Sequence, residues 1–240
     1  MKLSAPVFQL KRRAKLMARS AGMPLHAALD TIAREEGFAR WSLLSSQLAA
    51  GSLSGALLGR LADGDLVLIA GRPGQGKTML GLQLLLDAAR DGRRAVFFTL
   101  EFTERQARHH IRSLAGDGAE NTNIADAVEI VTSDEISADY IIRHLAGAAR
   151  GTVAVIDYLQ ILDQQRRKPP LGEQVRALGD FARASGVAIG VLSQIDRSFD
   201  PADKRLPDIH DIRLPNLVDL GLFTKACFLH GGEAQIQHVA

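Results

Sequence analysis

The stretch VLIAGRPGQGKT, residues 67–78, contains the residue types that a phosphate-binding loop needs. Its last eight residues fit the pattern G-x-x-x-x-G-K-[ST], with an apolar run before them and a helix-forming segment after them. Glycines permit the backbone conformations of such a loop, and the amides at a helix start bind anions. Lys77 can bring a positive charge to the β- and γ-phosphates, and the Thr78 hydroxyl can ligate Mg²⁺. The predicted nucleotide contacts are Gly71, Arg72, Pro73, Gly74, Gln75, Gly76, Lys77, Thr78 and Met79.

Polar residues follow three further apolar runs. Asp157 comes directly after VAVI and is a candidate second metal-directed acid, although an aspartate in this position is also common as a cap or turn residue. Glu101 follows AVFFTL and could orient the attacking water, or could be a solvated strand-end carboxylate. Gln194 follows VAIGVLS, where its amide could sense the γ-phosphate or satisfy the backbone of a turn. We predict a metal site of Thr78 and Asp157 and a catalytic role for Lys77, and Glu101 and Gln194 are further candidates for the catalytic set.

The elements that must position these residues alternate between strand and helix. Apolar runs of strand length occur at 66–70, 95–100, 128–132, 153–156 and 187–192. Helical stretches lie near 77–90, 103–115, 137–149 and 172–185, the second opening with a Thr103/Gln106 capping box. Strands that are apolar on both faces and alternate with helices predict an α/β fold, a mostly parallel sheet flanked by helices. Ligands of such sheets bind beyond the carboxyl ends of the strands, where the polar residues fall.

The first 50 residues lack a strand signal and predict three short helices, the last ending at Gly51. The segment GSLSG, residues 51–55, predicts a hinge. We therefore divide the chain into a small helical segment, residues 1–50, and an α/β domain that contains the phosphate loop, residues 51–240. Trp41, the single tryptophan, is predicted to be a core residue rather than a ligand contact.

Composition limits the classes of function. The net charge of +2 is too small to argue for a polyanionic partner, so a nucleic-acid interpretation must depend on local clusters. A single cysteine, Cys227, fits a reducing compartment, and no apolar run reaches membrane-spanning length. The first 29 residues have basic but no acidic side chains, as a transit peptide does, but helical patterning continues past Asp30 and favours a folded basic helix. We expect a cytoplasmic protein without a membrane partner.

Together the motifs resemble the carboxy-terminal, RecA-like motor domain of the DnaB-type replicative helicases. The resemblance covers about residues 55–213 and is carried by VLIAGRPGQGKTMLGLQLLLDAA, AVFFTLEFTERQARHHIRS, VAVIDYLQIL, VLSQIDRS and DIHDIR, in that order. The elements DYLQ, TLE and SQ are the most specific, since a phosphate loop alone indicates only a superfamily.

The resemblance implies ATP at Gly71–Thr78 and Mg²⁺ supported by Thr78 and Asp157. It also implies Glu101 as the catalytic carboxylate and Gln194 as the residue that relays the nucleotide state to DNA-binding loops. The working particle would be a hexameric ring on single-stranded DNA, with ATP bound between subunits.

The loop DQQRRKPPLGEQ, which follows the Asp157 strand, is a candidate DNA contact. Arg166, Arg167 and Lys168 could track a phosphate backbone electrostatically without reading bases. From the residues alone, a solvated charged loop is about equally compatible with this composition. The corresponding family loop faces the ring channel, and the resemblance therefore favours DNA binding.

The chain departs from the family in three places, one of which is that VDLGLFTKACFL is shorter than the corresponding family strands, so the sheet could lack a strand pair. Only about 50 residues precede the motor-like region, where the family has a large helical domain. The family's late Lys-x-Arg pair, which acts on the neighbouring subunit's ATP, is represented here by Lys225 with Cys227 in the arginine position. Lys225 is the candidate trans-acting finger, and Arg205 or Arg213 are alternatives; without one, hydrolysis would be slow.

Three functions remain compatible with the sequence. The first is an ATP-dependent, helicase-like motor that translocates on single-stranded DNA. The second is a RecA-, RadA- or KaiC-like regulatory or recombination ATPase without unwinding activity, favoured by the missing arginine. The third is a nucleotide-gated binding protein, which the complete set of phosphate-loop and acidic residues makes the weakest of the three.

Overall fold

A seven-stranded sheet forms the centre of the computed structural model, which describes residues 4–5, 7–159, 162, 169–213 and 218–239. The strands run in the order β3-β2-β4-β5-β1-β6-β7 and are parallel except for β7, which pairs antiparallel with β6. Their bounds are β1 Leu66–Gly71, β2 Ala95–Thr99, β3 Glu129–Val131, β4 Val153–Asp157, β5 Ala188–Gln194, β6 Lys225–His230 and β7 Glu233–His238. The predicted α/β class, parallel sheet and first five strands are confirmed.

Helices cover both faces of this sheet. Their bounds are α1 Val7–Ser20, α2 Leu25–Glu35, α3 Trp41–Leu58, α4 Lys77–Arg90, α5 Glu104–Ala115, α6 Ala119–Ala127, α7 Ala138–Leu145 and α8 Leu171–Ser185. The predicted capping box at the start of α5 is present: the Thr103 hydroxyl accepts from the Gln106 N–H at 3.3 Å, and the Gln106 side chain accepts from the Thr103 N–H at 3.0 Å. No helix in the described ranges is long and apolar enough to cross a membrane.

The core lies in two layers because the central strands bury side chains on both faces. Leu66 and Leu68 of β1 belong to the cluster on the α8 side, whereas Val67 and Ile69 belong to the cluster on the α4 side. Alternate residues of a strand point to opposite faces, so a strand covered on both sides is apolar throughout. This explains why these strands read as continuous apolar runs.

The predicted end of the third helix at Gly51 is wrong. Helix α3 continues to Leu58, and the segment predicted to be a hinge lies inside it. The continuation packs on α4, where the Ser54 hydroxyl donates to the Asp87 carboxylate at 2.5 Å and Leu57 is fully buried. Tertiary packing thus overrides the weak helix propensity of glycine. The division at residue 50 remains a prediction.

The amino-terminal helices form a small core of their own. Leu10, Ala14, Ala28 and Ile32 are fully buried between α1 and α2, and Trp41 at the start of α3 packs against them. Asp30 fixes the start of α3, because its carboxylate accepts a hydrogen bond from the backbone N–H of Trp41 at 2.9 Å. This arrangement confirms that α1 is a folded helix.

Candidate nucleotide-binding site

The phosphate loop connects the end of β1 to the start of α4. Gly74 and Gly76 have φ values of +78° and +89°, which lie in the left-handed region that favours glycine, and Gly76 directly precedes the first helical residue, Lys77. No atom lies within 4 Å of a Cβ built on Gly74, so the loop is open on that side. A turn of this kind at a helix amino terminus is suited to an anion.

Gly71 has a different role from the one its place in the motif suggests. Its φ is not positive, and a Cβ there would lie 3.1 Å from the Leu229 carbonyl oxygen and 3.2 Å from the Leu229 Cβ. Gly71 therefore permits close packing of β1 against β6 instead of a special turn conformation.

Two side chains of the loop tie it to neighbouring segments. Arg72 donates to the carbonyl oxygens of Arg197, at 3.0 Å, and Phe199, and its guanidinium lies 5.4 Å from the centre of the Phe199 ring. The Gln75 carbonyl oxygen accepts the N–H of Gly231 in the β6–β7 turn at 2.7 Å. The sequence motif predicts Arg72 and Gln75 only as nucleotide contacts, and these long-range contacts leave no local signal in the sequence.

Asp157, at the tip of β4, lies beside the loop. Its Oδ2 accepts a hydrogen bond from the Thr78 hydroxyl at 3.1 Å, and its side chain is buried. Burial and repulsion by Glu101 raise the pKa of Asp157 to about 7, outweighing the Thr78 hydrogen bond and the charge of Lys77. Such a buried carboxylate is in need of a cation, so Thr78 and Asp157 fit the Mg²⁺ that the motif predicts.

Lys77 lies in the same charge cluster. Its ammonium donates to the Arg72 carbonyl oxygen at 3.2 Å; burial lowers the pKa of Lys77, while the charges of Asp157 and Glu101 oppose that shift. Glu101 is exposed two residues beyond β2, where its N–H donates to the Thr99 hydroxyl at 3.1 Å. The start of α4 and the tips of β2 and β4 thus bring together Lys77, Thr78, Asp157 and Glu101.

Gln194 occupies the tip of β5, aligned with Gly71 of β1. Strand alternation places it on the same face as Leu192, which packs in the α4-side cluster. Its backbone carbonyl accepts the Arg213 N–H at 2.8 Å. The neighbouring Ser193 is fully buried on the opposite face, and within the described part of the chain its hydroxyl has no hydrogen-bond partner.

Pro73 and Met79 complete the predicted loop contacts. Pro73 is exposed, whereas Met79, in the first turn of α4, is half-buried against the α4-side core. Their assignment as nucleotide contacts stays a prediction.

Lys225 does not fit the trans-acting finger predicted for it. It begins β6 at the end of the sheet opposite the phosphate loop, aligned with Val67, and its ammonium lies 2.5 Å from the Asp65 carboxylate with both side chains buried. A buried, paired ammonium cannot reach a neighbouring molecule, so this assignment is corrected. Cys227, in the position of the family arginine, is a core residue, and burial raises the pKa of its thiol to about 12.

The other predicted basic groups lie at the surface or outside the described residues. Arg205 is exposed and pairs with Glu233 at 2.5 Å, and Arg213 is also exposed. The candidate DNA contacts Arg166, Arg167 and Lys168 lie outside the described residues.

A protein-family model described as "ATPase: KaiC" matches residues 29–199, well over half of the chain. The chain belongs to the KaiC ATPase family. The match begins within α2 and ends after β5, so it includes every strand tip of the candidate site.

Curated relatives of this KaiC-family ATPase support the resemblance to the DnaB-type motor. The replicative DNA helicase DnaB of Helicobacter pylori is 26% identical over 179 residues, which are 63% of this chain and 37% of the relative. A probable plasmid replicative DNA helicase of Chlamydia muridarum is 28% identical over 180 residues, 64% of this chain and 40% of the relative. The chain therefore spans about two fifths of the length of the curated relatives it matches.

Solved structures support the RecA-like fold of this KaiC-family ATPase. A DnaB-like replicative helicase superimposes with a TM-score of 0.57 at 20% identity, over 70% of this chain and 48% of that one. A KaiC-like protein of Pyrococcus horikoshii OT3 superimposes with a TM-score of 0.51 at 20% identity, over 69% and 70% of the two chains. The predicted fold and family resemblance are confirmed.

Proposed function

We propose that the chain is the ATP-hydrolysing motor of a DnaB-like helicase, which translocates on single-stranded DNA as a homo-oligomeric, hexameric ring in the cytoplasm. The observation that carries the proposal is the convergence of Lys77 and Thr78, at the start of α4, with Asp157 and Glu101 at the tips of β4 and β2 beside an open phosphate loop. The DnaB relatives, although they match only over part of their length, support the helicase assignment.

Each side chain of the site has a separate role in ATP hydrolysis. Lys77 neutralises charge on the β- and γ-phosphates, and the loop amides hold the phosphate oxygens. Thr78 and Asp157 would hold Mg²⁺, which supplies further charge neutralisation on the phosphates when bound. Glu101 accepts a proton from, and orients, the attacking water. Gln194, aligned with the loop, passes the presence of the γ-phosphate to the segment that follows β5.

The proposal is tested by measuring the ATPase rate and particle size together, with and without single-stranded DNA. We expect DNA-stimulated turnover, and we expect Lys77→Ala to reduce it on the order of 10²-fold or more, because a preorganised charge on the transferring phosphoryl group is lost. Lys15→Ala, an exposed lysine of α1, is the matched control and should retain the basal rate. A monomeric ATPase that ignores DNA would contradict the proposal.

The second candidate is a KaiC- or RecA-like ATPase without unwinding activity. It is favoured by the KaiC family match and by the burial of Lys225, which removes the predicted trans-acting group. Strand displacement on a forked duplex separates the two candidates. ATP turnover and assembly without displacement would support the second candidate and contradict the first.

A further inference from the structure

A cavity of about 570 Å³ adjoins the phosphate loop on the side away from the acidic strand tips. Its walls come from α2, the first turn of α3, the loop itself and the β6–β7 turn, including Trp41, Arg40, Gly74, Gln75 and Gly231. Its volume lies within the usual range for sites that hold small molecules. Apart from Gly74 and Gln75 of the phosphate loop, the family motifs lie elsewhere, and most of the cavity wall comes from the amino-terminal helices.

The strand order determines which part of a bound nucleotide could reach this cavity. Asp157 on β4 and Glu101 after β2 lie to one side of β1, whereas the β6–β7 turn lies to the other. The γ-phosphate must face the acidic and metal-directed groups, where hydrolysis occurs. The nucleoside end of a nucleotide in the loop is therefore directed to the β6–β7 side.

The cavity lining has the chemistry of a nucleobase site. Trp41 offers an aromatic surface, and base–aromatic stacking contributes about 1–3 kcal/mol per base. Asp30 lines the same cavity, and its position is fixed because it accepts the Trp41 N–H. A carboxylate in that place can accept a hydrogen bond from the exocyclic amine of adenine. The Arg40 guanidinium can donate hydrogen bonds to ribose oxygens.

The loop wall of the cavity is also held in place. Gln75 is fixed by the Gly231 N–H at 2.7 Å, and Gly74 leaves the entrance clear because no atom lies within 4 Å of a Cβ built there. A nucleotide could thus extend from the phosphate loop into the cavity, because Gly74 has no side chain that would block the way.

We propose that this cavity binds the purine nucleoside of the nucleotide, with Trp41 stacking on the base. The amino-terminal helices would then form half of the nucleotide site. Trp41 would also act as more than the core residue predicted from the sequence. The inference rests on the proposed nucleotide binding at the phosphate loop.

The test compares a nucleotide with inorganic tripolyphosphate, which can occupy the phosphate loop but has no base. Because Trp41 is the single tryptophan, its fluorescence reports on the cavity directly. We expect a non-hydrolysable ATP analogue with Mg²⁺ to quench this emission, and tripolyphosphate, whose binding is followed by calorimetry, to leave it nearly unchanged.

Affinities of variants complete the test. Trp41→Ala should weaken analogue binding about 5- to 150-fold, the equivalent of the stacking contribution, and leave tripolyphosphate affinity unchanged. Trp41→Phe should retain most of the affinity. Phe38→Ala, a half-buried aromatic residue of the same helical segment that does not line this cavity, is the matched control for lost packing.

The outcomes distinguish this inference from the proposed function. If neither ligand binds, nucleotide binding itself is wrong. If both bind with equal affinity and neither changes the Trp41 emission, the phosphate loop is functional and the nucleobase assignment is overturned. Equal losses in Trp41→Ala and Phe38→Ala would also overturn it. If Trp41→Ala fails to fold, two other measurements decide. The first compares the wild-type Trp41 emission with the ATP analogue and with tripolyphosphate, and the second compares the affinities of Arg40→Ala for these two ligands.

Discussion

At the scale of single residues, the surroundings of Asp157 disfavour its negative charge in the absence of a bound cation. It is buried, Glu101 repels it, and the Thr78 hydroxyl and Lys77 ammonium compensate only in part, so its pKa rises to about 7. The folded protein without nucleotide or metal therefore binds a proton at this position over a pH range in which the unfolded chain does not. Proton uptake stabilises that state fully below the ordinary aspartate pKa of about 3.9, and the stabilisation is lost progressively as the pH rises to about 7.

Asp157→Asn removes this proton-linked stabilisation. We expect the difference in unfolding free energy, variant minus wild type, to shift in favour of the variant by about 3 kcal/mol between pH 5 and pH 8 in metal-free protein. Denaturant unfolding at the two pH values measures the shift. Asp180→Asn, an exposed aspartate of α8, should show no comparable trend; a pH-independent difference for Asp157→Asn would contradict the raised pKa.

The sequence was sufficient to predict the positions of the residues that meet beside the phosphate loop, whereas their roles stay predictions. Lys77 and Thr78 follow from one motif, and Asp157 and Glu101 from their places after apolar runs, because parallel strands meet at one edge of a sheet. The contacts of Arg72 with residues more than a hundred positions away, and the burial of Lys225 against Asp65, could not be predicted. They depend on which strands become neighbours, and no local pattern records that.

At the scale of elements, α3 is a continuous helix where the sequence suggested a hinge. Gly55 is exposed within it, has no positive φ, and has no atom within 4 Å of a Cβ built on it. Alanine at this position gains helix propensity without a clash.

We expect Gly55→Ala to stabilise the protein by about 0.5–1 kcal/mol, measured by denaturant unfolding, and to leave the ATPase rate unchanged. Gly64→Ala is the contrasting control: its φ is +88° and the new Cβ would lie 3.0 Å from the Ala182 carbonyl oxygen, so it should destabilise. A loss of turnover in Gly55→Ala would instead indicate a working hinge.

The start of β6 is joined to the start of β1 by the buried pair of Lys225 and Asp65. Burial disfavours the charge of Asp65, but hydrogen bonds from Lys225, the Ala62 N–H and Thr224 outweigh it and hold the pKa of Asp65 below its ordinary value. Its contribution to stability is present above the ordinary aspartate pKa of about 3.9 and is lost as the pH falls through the depressed value.

Lys225→Met leaves the Asp65 charge buried without its partner, and we expect a loss of about 3–5 kcal/mol in unfolding free energy at neutral pH. Lys204→Met, which breaks the partly exposed ion pairs with Asp208 and Asp211, should cost about 1 kcal/mol or less per pair. ATPase measurements below the unfolding transition provide the second readout. A trans-acting finger would lose on the order of 10³-fold in turnover, whereas a structural lysine would retain most of its activity.

The elements differ in how well the sequence predicts them. The first five strands follow from apolar runs that are buried on both faces, a strong signal. The β6–β7 hairpin is less evident because β7 alternates between exposed and half-buried residues at the sheet border. The length of α3 depends on its packing against α4, through contacts such as Ser54 with Asp87, which composition alone does not reveal.

At the scale of the whole molecule, the mass of the particle in solution tests the proposed hexameric ring. We expect light scattering to show assembly to six copies in the presence of Mg²⁺ and a non-hydrolysable ATP analogue, because nucleotide bound between subunits would add to the interface. Lys77→Ala, which weakens phosphate binding, should remain smaller under the same conditions. A wild-type protein that stays monomeric with bound nucleotide would contradict the ring.

The two borders of the sheet differ in what they present to other molecules. β3 is a three-residue strand, whereas β7 forms a border of six residues with polar side chains such as Glu233 and Gln237. An unsatisfied row of backbone amides and carbonyls recruits foreign strands, and polar or charged side chains reduce that tendency. The longer border is therefore the one at which a strand of another molecule could pair, and its hydrophilic side chains oppose such aggregation.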